Sequence, residues 1–131
     1  MRPGRLAATI LRMTTVLIVD DHDSYRAVAR RLLEIEGFDV VGESADGLSA
    51  VRDAERLRPD VVLLDVQLPD IDGFEVARRL SSLSSPPTVV LCSSREASDY
   101  GGKVGRAAAN GFISKADLSG ARLAALMGSS G

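Results

Sequence analysis

Three carboxylates, a hydroxyl and an amine stand where strand-like apolar runs stop. Val16-Leu17-Ile18-Val19 is followed at once by Asp20 and Asp21, and Val61-Val62-Leu63-Leu64 by Asp65. Val89-Val90-Leu91-Cys92 ends at Ser93, and Gly111-Phe112-Ile113-Ser114 at Lys115. Carboxylates brought close together repel, and each raises its neighbours' pKa unless a cation relieves them. A divalent ion does so, and an all-oxygen donor set favours magnesium, calcium or manganese. Magnesium takes one or two carboxylates and keeps several waters, which leaves coordination positions for a phosphoryl oxygen. The chemistry open to this set is phosphoryl transfer, where a protein mostly positions groups and neutralises charge. Asp65 is the expected acceptor: a carboxylate ionised at neutral pH attacks without a general base. The Ser93 hydroxyl and the Lys115 ammonium are expected to bind the remaining phosphoryl oxygens. Each residue taken singly has a plainer reading: a strand-end aspartate caps a turn or helix, Ser93 is a loop hydroxyl, and Lys115 is a solvated charge.

The elements that must position these groups follow from hydrophobic periodicity. The apolar runs are β-branched and unalternating, as in strands buried on both faces of a parallel sheet. Residues 38–42 and 111–113 are weaker strand candidates. Asp23 or Ser24 caps a first helix with Val28, Leu32 and Ile35 inward, Arg26, Arg30 and Arg31 outward, and Gly37 as its stop. Leu48, Val51, Ala54 and Leu57 face inward on a second helix ending before Pro59, and Phe74, Ala77 and Leu80 on a third. Residues 118–127 form the last, with Leu118, Leu123 and Leu126 inward. Five β-α alternations imply a doubly wound parallel sheet with helices on both faces, and the expected form is flavodoxin-like: five strands of order 2-1-3-4-5 with five helices. In that order the first and third strands are neighbours at the switch point, so Asp20, Asp21 and Asp65 converge at the ligand crevice. The fourth helix must contain Gly101, Gly102 and Gly105. Each interior glycine costs about 1 kcal/mol relative to alanine, so this helix is expected to be short, frayed or displaced.

Composition bounds the rest. The 131 residues suit one domain, at 45% apolar and 26% charged. Residues 15–127 are read as that domain, 1–14 as a flexible N-terminal extension and 128–131 as a flexible tail. A single cysteine, Cys92, excludes an intrachain disulfide and a cysteine metal cluster. It fits a cytoplasmic setting. The net charge of −2 without a basic run argues against direct nucleic-acid binding. No segment approaches the length of a membrane span.

The chain resembles the receiver domains of two-component response regulators, over about residues 15–127. The resemblance is carried by Val16-Leu17-Ile18-Val19-Asp20-Asp21-His22, Pro59-Asp60-Val61-Val62-Leu63-Leu64-Asp65, Leu68-Pro69-Asp70-Ile71-Asp72-Gly73, residues 89–93 and Gly111-Phe112-Ile113-Ser114-Lys115. The opening Asp-Asp-His with Tyr25-Arg26 is most similar to receivers that precede helix-turn-helix output domains. The resemblance implies that Asp65 is phosphorylated. It implies that Asp21 and Asp65 ligate magnesium (manganese as the substitute) with the Gln67 backbone carbonyl, Asp20 helping through water. Ser93 fills the switch serine/threonine position, reached by counting back the family's spacing from Lys115. Phe112 fills the aromatic switch position and Lys115 the family's lysine position. His22 is expected to orient the acidic loop or cap the first helix, Gly73 to serve the turn into the third helix, and Cys92 to be a small buried hydrophobe. Three departures fall on the face that transmits the signal in the family: Ala108 where a glycine is usual, Ala116 where a proline is frequent, and the glycine-rich fourth helix.

The leading expectation is a cytoplasmic, non-enzymatic switch. A sensor histidine kinase phosphorylates Asp65, modest self-hydrolysis resets it, and a downstream protein partner or a homodimer reads the change. The short polar ending after Met127 favours a stand-alone receiver over the isolated receiver of a longer DNA-binding regulator. A module that binds partners without phosphate is the alternative, although such modules usually lack an acidic or lysine position that this chain keeps. An aspartate-nucleophile phosphatase wants a second aspartate two residues after the first, and Gln67 stands there.

Overall fold

The structure, a computed structural model, describes residues 13–128. The expected extension and tail therefore lie almost wholly outside the described residues. The chain alternates β1 (Thr15–Val19), α1 (Asp23–Ile35), β2 (Asp39–Ser44), α2 (Gly47–Leu57), β3 (Val61–Asp65), α3 (Gly73–Ser81) and β4 (Thr88–Ser93). A 3-10 turn, Ala97–Tyr100, then precedes α4 (Lys103–Arg106), β5 (Gly111–Ser114), a second 3-10 turn, Lys115–Asp117, and α5 (Gly120–Gly128). The five strands are parallel in the order β2-β1-β3-β4-β5.

Alternate side chains of each strand enter opposite layers, as the two-residue pleat requires. Val16, Ile18, Val61 and Leu63 pack with Ala29 and Leu33 of α1 and Leu123 of α5. Leu17, Val19, Val62 and Leu64 pack with Ala50 and Ala54 of α2 and with Val76, Ala77 and Leu80 of α3. Burial on both faces explains why the strands read as unbroken apolar runs.

The helices correct several details. On α1 the buried residues are Ala29 and Leu33, whereas Val28 is 62% and Ile35 74% exposed. The helix is thus turned by about one residue, or 100°, from the expected face. Polar contacts account for the rotation. Arg26 and Arg30 point toward the sheet edge, where both meet Glu43 of β2 and Arg30 also donates to the Val40 carbonyl at 3.0 Å. The N-cap is His22, not Asp23 or Ser24, and Gly37 follows the helix at φ +97°, a conformation that favours glycine. On α2, Leu48 is exposed and Gly47, Ala50 and Ala54 are buried. Leu118 precedes α5 rather than forming its first turn. The fourth helix is short, a single turn of four residues.

One long-range cap ties the β3–α3 loop to α2. The Asp70 carboxylate accepts from the Gly47 and Leu48 backbone N–H groups, each at 2.8 Å. Burial opposes ionisation, but the backbone hydrogen bonds, those from Leu48 and Gly47 foremost, together outweigh it and hold the pKa below the usual carboxylate range, so the cap is lost as pH falls through that lowered value. Asp70→Ala is expected to cost about 1 kcal/mol, read by urea denaturation at neutral pH. An unchanged midpoint there would refute the cap.

Candidate functional site

The carboxyl ends of β1 and β3 deliver the acidic residues side by side, because these strands are paired from Val16 to Val19 and from Val61 to Leu64. One ligand atom each from Asp20, Asp21, His22 and Asp65 falls within a 4.8 Å cluster. Asp20 and Asp65 are 1% and 4% exposed, while Asp21 and His22 face solvent.

Asp20 is the most constrained carboxylate. Its Oδ1 accepts from the His22 backbone N–H at 2.8 Å and lies 3.0 Å from His22 Nδ1. His22 Nδ1 is also 3.1 Å from Asp21 Oδ1, so its ring braces the acidic loop. The other oxygen, Asp20 Oδ2, is buried and is paired with the Lys115 ammonium, 2.5 Å away. Lys115 Nζ is 3.5 Å from Asp65 Oδ2 and stands over the Tyr25 ring, 4.4 Å from its centroid. Burial opposes the ammonium, but Asp20 and Asp65 outweigh it and hold the Lys115 pKa above its ordinary value. Burial, then the Asp20 charge, pushes the Asp65 carboxyl up to about 6.

A buried carboxylate oxygen paired with an ammonium, a cluster of carboxylates and a carboxyl whose pKa is raised by its neighbours are the marks of a site built around positive charge. Lys115 supplies one such charge. The oxygen donors of Asp20, Asp21 and Asp65 fit a hard divalent ion in addition. Gln67 adjoins them: its N–H donates to Asp65 Oδ1 at 3.4 Å and its side chain is exposed.

Ser93 and Phe112 are placed differently from the acidic group. Ser93 is buried at the end of β4, one residue beyond Cys92, the register partner of Asp65. Its Oγ shares a 2.5 Å hydrogen bond with the Tyr100 hydroxyl and accepts from Arg95 N at 3.1 Å. Its described hydrogen bonds therefore run toward the segment before α4 and not toward the carboxylates. Phe112 is half-buried, its ring edge-on to Tyr100 at 6.3 Å between centroids. Tyr100 also meets Phe74 of α3 edge-on, at 5.6 Å. Cys92 is buried, and burial pushes its thiol up to about 11, so it is not a nucleophile at neutral pH.

Three participants were not legible as site residues. Tyr25 lies beneath Lys115, and its hydroxyl lies 3.5 Å from Cys92 Sγ. Arg26 donates to the Asp20 backbone carbonyl at 2.5 Å and to Glu43 at 3.0 Å, and meets Asp23 as well, clamping the acidic loop to α1 and β2. Tyr100 holds Ser93. In sequence Arg26 looks like one of several surface arginines, and no local spacing pairs Tyr100 with Ser93. Gly73 owes its place to close approach. A Cβ there would lie 2.4 Å from the Asp65 carbonyl oxygen, and its N–H donates to the Val66 carbonyl at 2.7 Å.

Comparisons with known proteins agree on one family. The family described as response regulator receiver domain matches residues 16–125. The response regulator GacA of Pseudomonas aeruginosa is 38% identical over 104 residues, 79% of this chain and 49% of that protein. The response regulator UvrY of Escherichia coli is 38% identical over 104 residues, 79% of this chain and 48% of that protein. The chain thus spans about half the length of the curated relatives it matches. Among solved structures, the signal receiver domain of NarL from Mycobacterium tuberculosis superposes with a TM-score of 0.79 at 30% identity, covering 88% of this chain and 98% of that one. A LuxR-family two-component response regulator from Aurantimonas gives 0.78 at 30% identity, covering 88% and 86%.

Proposed function

The chain belongs to the response regulator receiver domain family of two-component systems, and from that premise we propose that it is a switch operated by phosphorylation of Asp65. The observation that carries this reading is the convergence of Asp20, Asp21 and Asp65 in one cluster with the Lys115 ammonium beside them. Asp21 and Asp65 would hold a magnesium ion together with the Gln67 backbone carbonyl, with Asp20 acting through water; manganese has the same donor preference. Bound there, the ion would neutralise the carboxylates and the incoming phosphoryl oxygens.

An Asp65 carboxylate oxygen attacks the phosphorus of a phosphohistidine on a sensor kinase. The new P–O bond forms as the P–N bond breaks, and the imidazole nitrogen leaves and recovers its proton from solvent. Lys115 is held by Asp20 at 2.5 Å and by Asp65 at 3.5 Å. Its place between them lets it transfer from the Asp20 carboxylate to a phosphoryl oxygen with a small movement of a flexible stem. Ser93 must leave Tyr100 to bind another phosphoryl oxygen, which links the covalent event to the segment before α4. Phe112, in contact with Tyr100, would move with it. A phosphoryl group adds about −1.5 to −2 charge, and the domain responds by shifting a pre-existing equilibrium. The output is to a downstream protein partner, with self-association as one form of it. Water attack on the acyl phosphate resets the switch, so the chain is not a turnover enzyme. No helix among the described residues is long and apolar enough to cross a membrane, and we place the switch in the cytoplasm with its kinase partner.

Acetyl phosphate with magnesium is expected to add one phosphoryl group to the intact protein by mass spectrometry. Beryllofluoride with magnesium is expected to move the amide resonances of Val66, Gln67, Ser93, Arg95 and Lys115. An unchanged mass together with an unchanged spectrum would sink the switch reading.

A further inference from the structure

Lys115 carries the positive charge of the acidic pocket on a four-carbon stem, which can place an ammonium in many positions. The structure closes three sides around it. Asp20 Oδ2 lies at 2.5 Å, Asp65 Oδ2 at 3.5 Å, and the face of the Tyr25 ring at 4.4 Å from its centroid. The carboxylates hold the ammonium by charge. The ring holds it by the negative face of its quadrupole, an attraction that is weaker and that strengthens where water is excluded. Tyr25 is itself fixed. It stands in the first turn of α1, half-buried, and packs against the side chains that β1, β3 and β4 send beneath that helix. Its hydroxyl lies 3.5 Å from Cys92 Sγ, and Cys92 is the register partner of Asp65. The ring is thus tied to α1 at one end and to β4 at the other. Burial, then the neighbouring Cys92, pushes the hydroxyl pKa up, so the ring stays a neutral phenol. Packing alone would account for a half-buried tyrosine, but it does not call for a cation over the ring face.

We propose that Tyr25 is a positioning residue for phosphoryl binding: its ring face keeps the Lys115 ammonium inside the pocket while the ammonium leaves Asp20 for a phosphoryl oxygen. This role rests on the Asp65 reading, and Tyr25 acts in it through Lys115 alone. When the ammonium leaves its ion pair, an aliphatic neighbour in the ring's place would give it no reason to stay out of water. A third carboxylate there would hold it against the phosphoryl group. An aromatic face does neither, because its quadrupole attracts a cation anywhere over the ring within about 6 Å of the centroid.

The test uses the full chain as wild type, Tyr25→Phe, Tyr25→Leu and Tyr25→Met. Phenylalanine keeps the ring face and gives up the hydroxyl. Leucine and methionine keep an apolar side chain and give up the face, and having both guards against one that fails to fold. The first readout needs no ligand. The ε-methylene protons of Lys115 are expected upfield in the wild type and in Tyr25→Phe, from the ring current, and at ordinary positions in the other two. The second readout separates metal from phosphoryl binding. Magnesium affinity should be the same in all four forms, because the carboxylates bind the ion. Beryllofluoride affinity at saturating magnesium should fall about tenfold without the ring and be retained in Tyr25→Phe. Equal loss of magnesium and beryllofluoride binding without the ring would mark a purely structural role and overturn the proposal. So would a Tyr25→Phe form as weak as Tyr25→Leu, or the absence of an upfield shift in the wild type. Unaltered beryllofluoride binding across all four forms loses the Tyr25 role alone. A wild type that shows the ring shift and binds magnesium but ignores beryllofluoride loses the Asp65 reading, and the positioning role with it.

Discussion

Asp65→Asn is expected to abolish phosphoryl acceptance and, in metal-free buffer at pH 7, to raise the thermal midpoint. The loss follows from chemistry: an amide oxygen is a poor nucleophile and carries no charge for the ion. The gain follows from burial. Asp65 is 4% exposed, and its carboxyl is pushed from 3.8 to about 6, first by burial and then by the neighbouring Asp20 charge. A carboxyl with a folded pKa above its unfolded one binds its proton more tightly in the native state. Its ionisation therefore destabilises the fold progressively as pH rises from about 4 to about 6, and the full penalty stands at pH 7. The net shift, with the opposing Lys115 contact at 3.5 Å already included in it, corresponds to about 3 kcal/mol. Differential scanning calorimetry at pH 4 and pH 7 checks the sign: the advantage of the variant should shrink at the lower pH. Added magnesium should reverse the order at pH 7, because a ligand bound only by the native wild type stabilises it by mass action. Equal midpoints at pH 7 without metal would refute the claim that this carboxylate is held at a cost.

Gly73→Ala should damage fold and chemistry together. The added Cβ would lie 2.4 Å from the Asp65 carbonyl oxygen and 2.8 Å from the Val66 Cα. Both obstacles are backbone, so no side chain can swing aside. The φ angle of Gly73 is not positive, and the penalty is one of volume rather than of conformation. Overpacking of this kind costs about 1–3 kcal/mol, and relief must come from moving the peptide that carries the acceptor. Misplacement by about 1 Å can cost on the order of 100-fold in rate. Urea denaturation and the initial rate of phosphorylation by acetyl phosphate should both fall. Gly105→Ala is the control: nothing lies within 4 Å of its Cβ position, and it sits in α4. That substitution should be neutral or gain up to about 1 kcal/mol from helix propensity. Equal behaviour of the two variants would disprove the close-approach argument.

The contrast between these glycines bears on what was legible beforehand. Gly73 and Gly105 look alike in sequence, and only the packed structure distinguishes a contact with β3 from open space. The same holds for α1. An apolar stripe through Val28, Leu32 and Ile35 is as good a helical face as one through Ala29 and Leu33, and larger. Glu43 on β2 and the Asp20 carbonyl decide between them by drawing Arg26 and Arg30 to the sheet edge. Ser93 ends β4, where the apolar run stops, but its partner Tyr100 arrives from an irregular turn that no periodicity predicts.

The sequence by itself determined the sheet, its order, the weak fourth helix and the strand ends at which Asp20, Asp21, Asp65, Ser93 and Lys115 stand. Those follow from short-range signals: buried strands need continuous apolar runs, interior glycines weaken a helix, and strand order fixes which chain ends meet. Tertiary structure alone decided which way α1 faces, that Lys115 rests on Asp20, that Tyr100 holds Ser93, and that Gly73 has no room for a methyl group. Each of these turns on contacts of a few ångströms between segments distant in the chain, where side-chain length and direction outweigh local propensity.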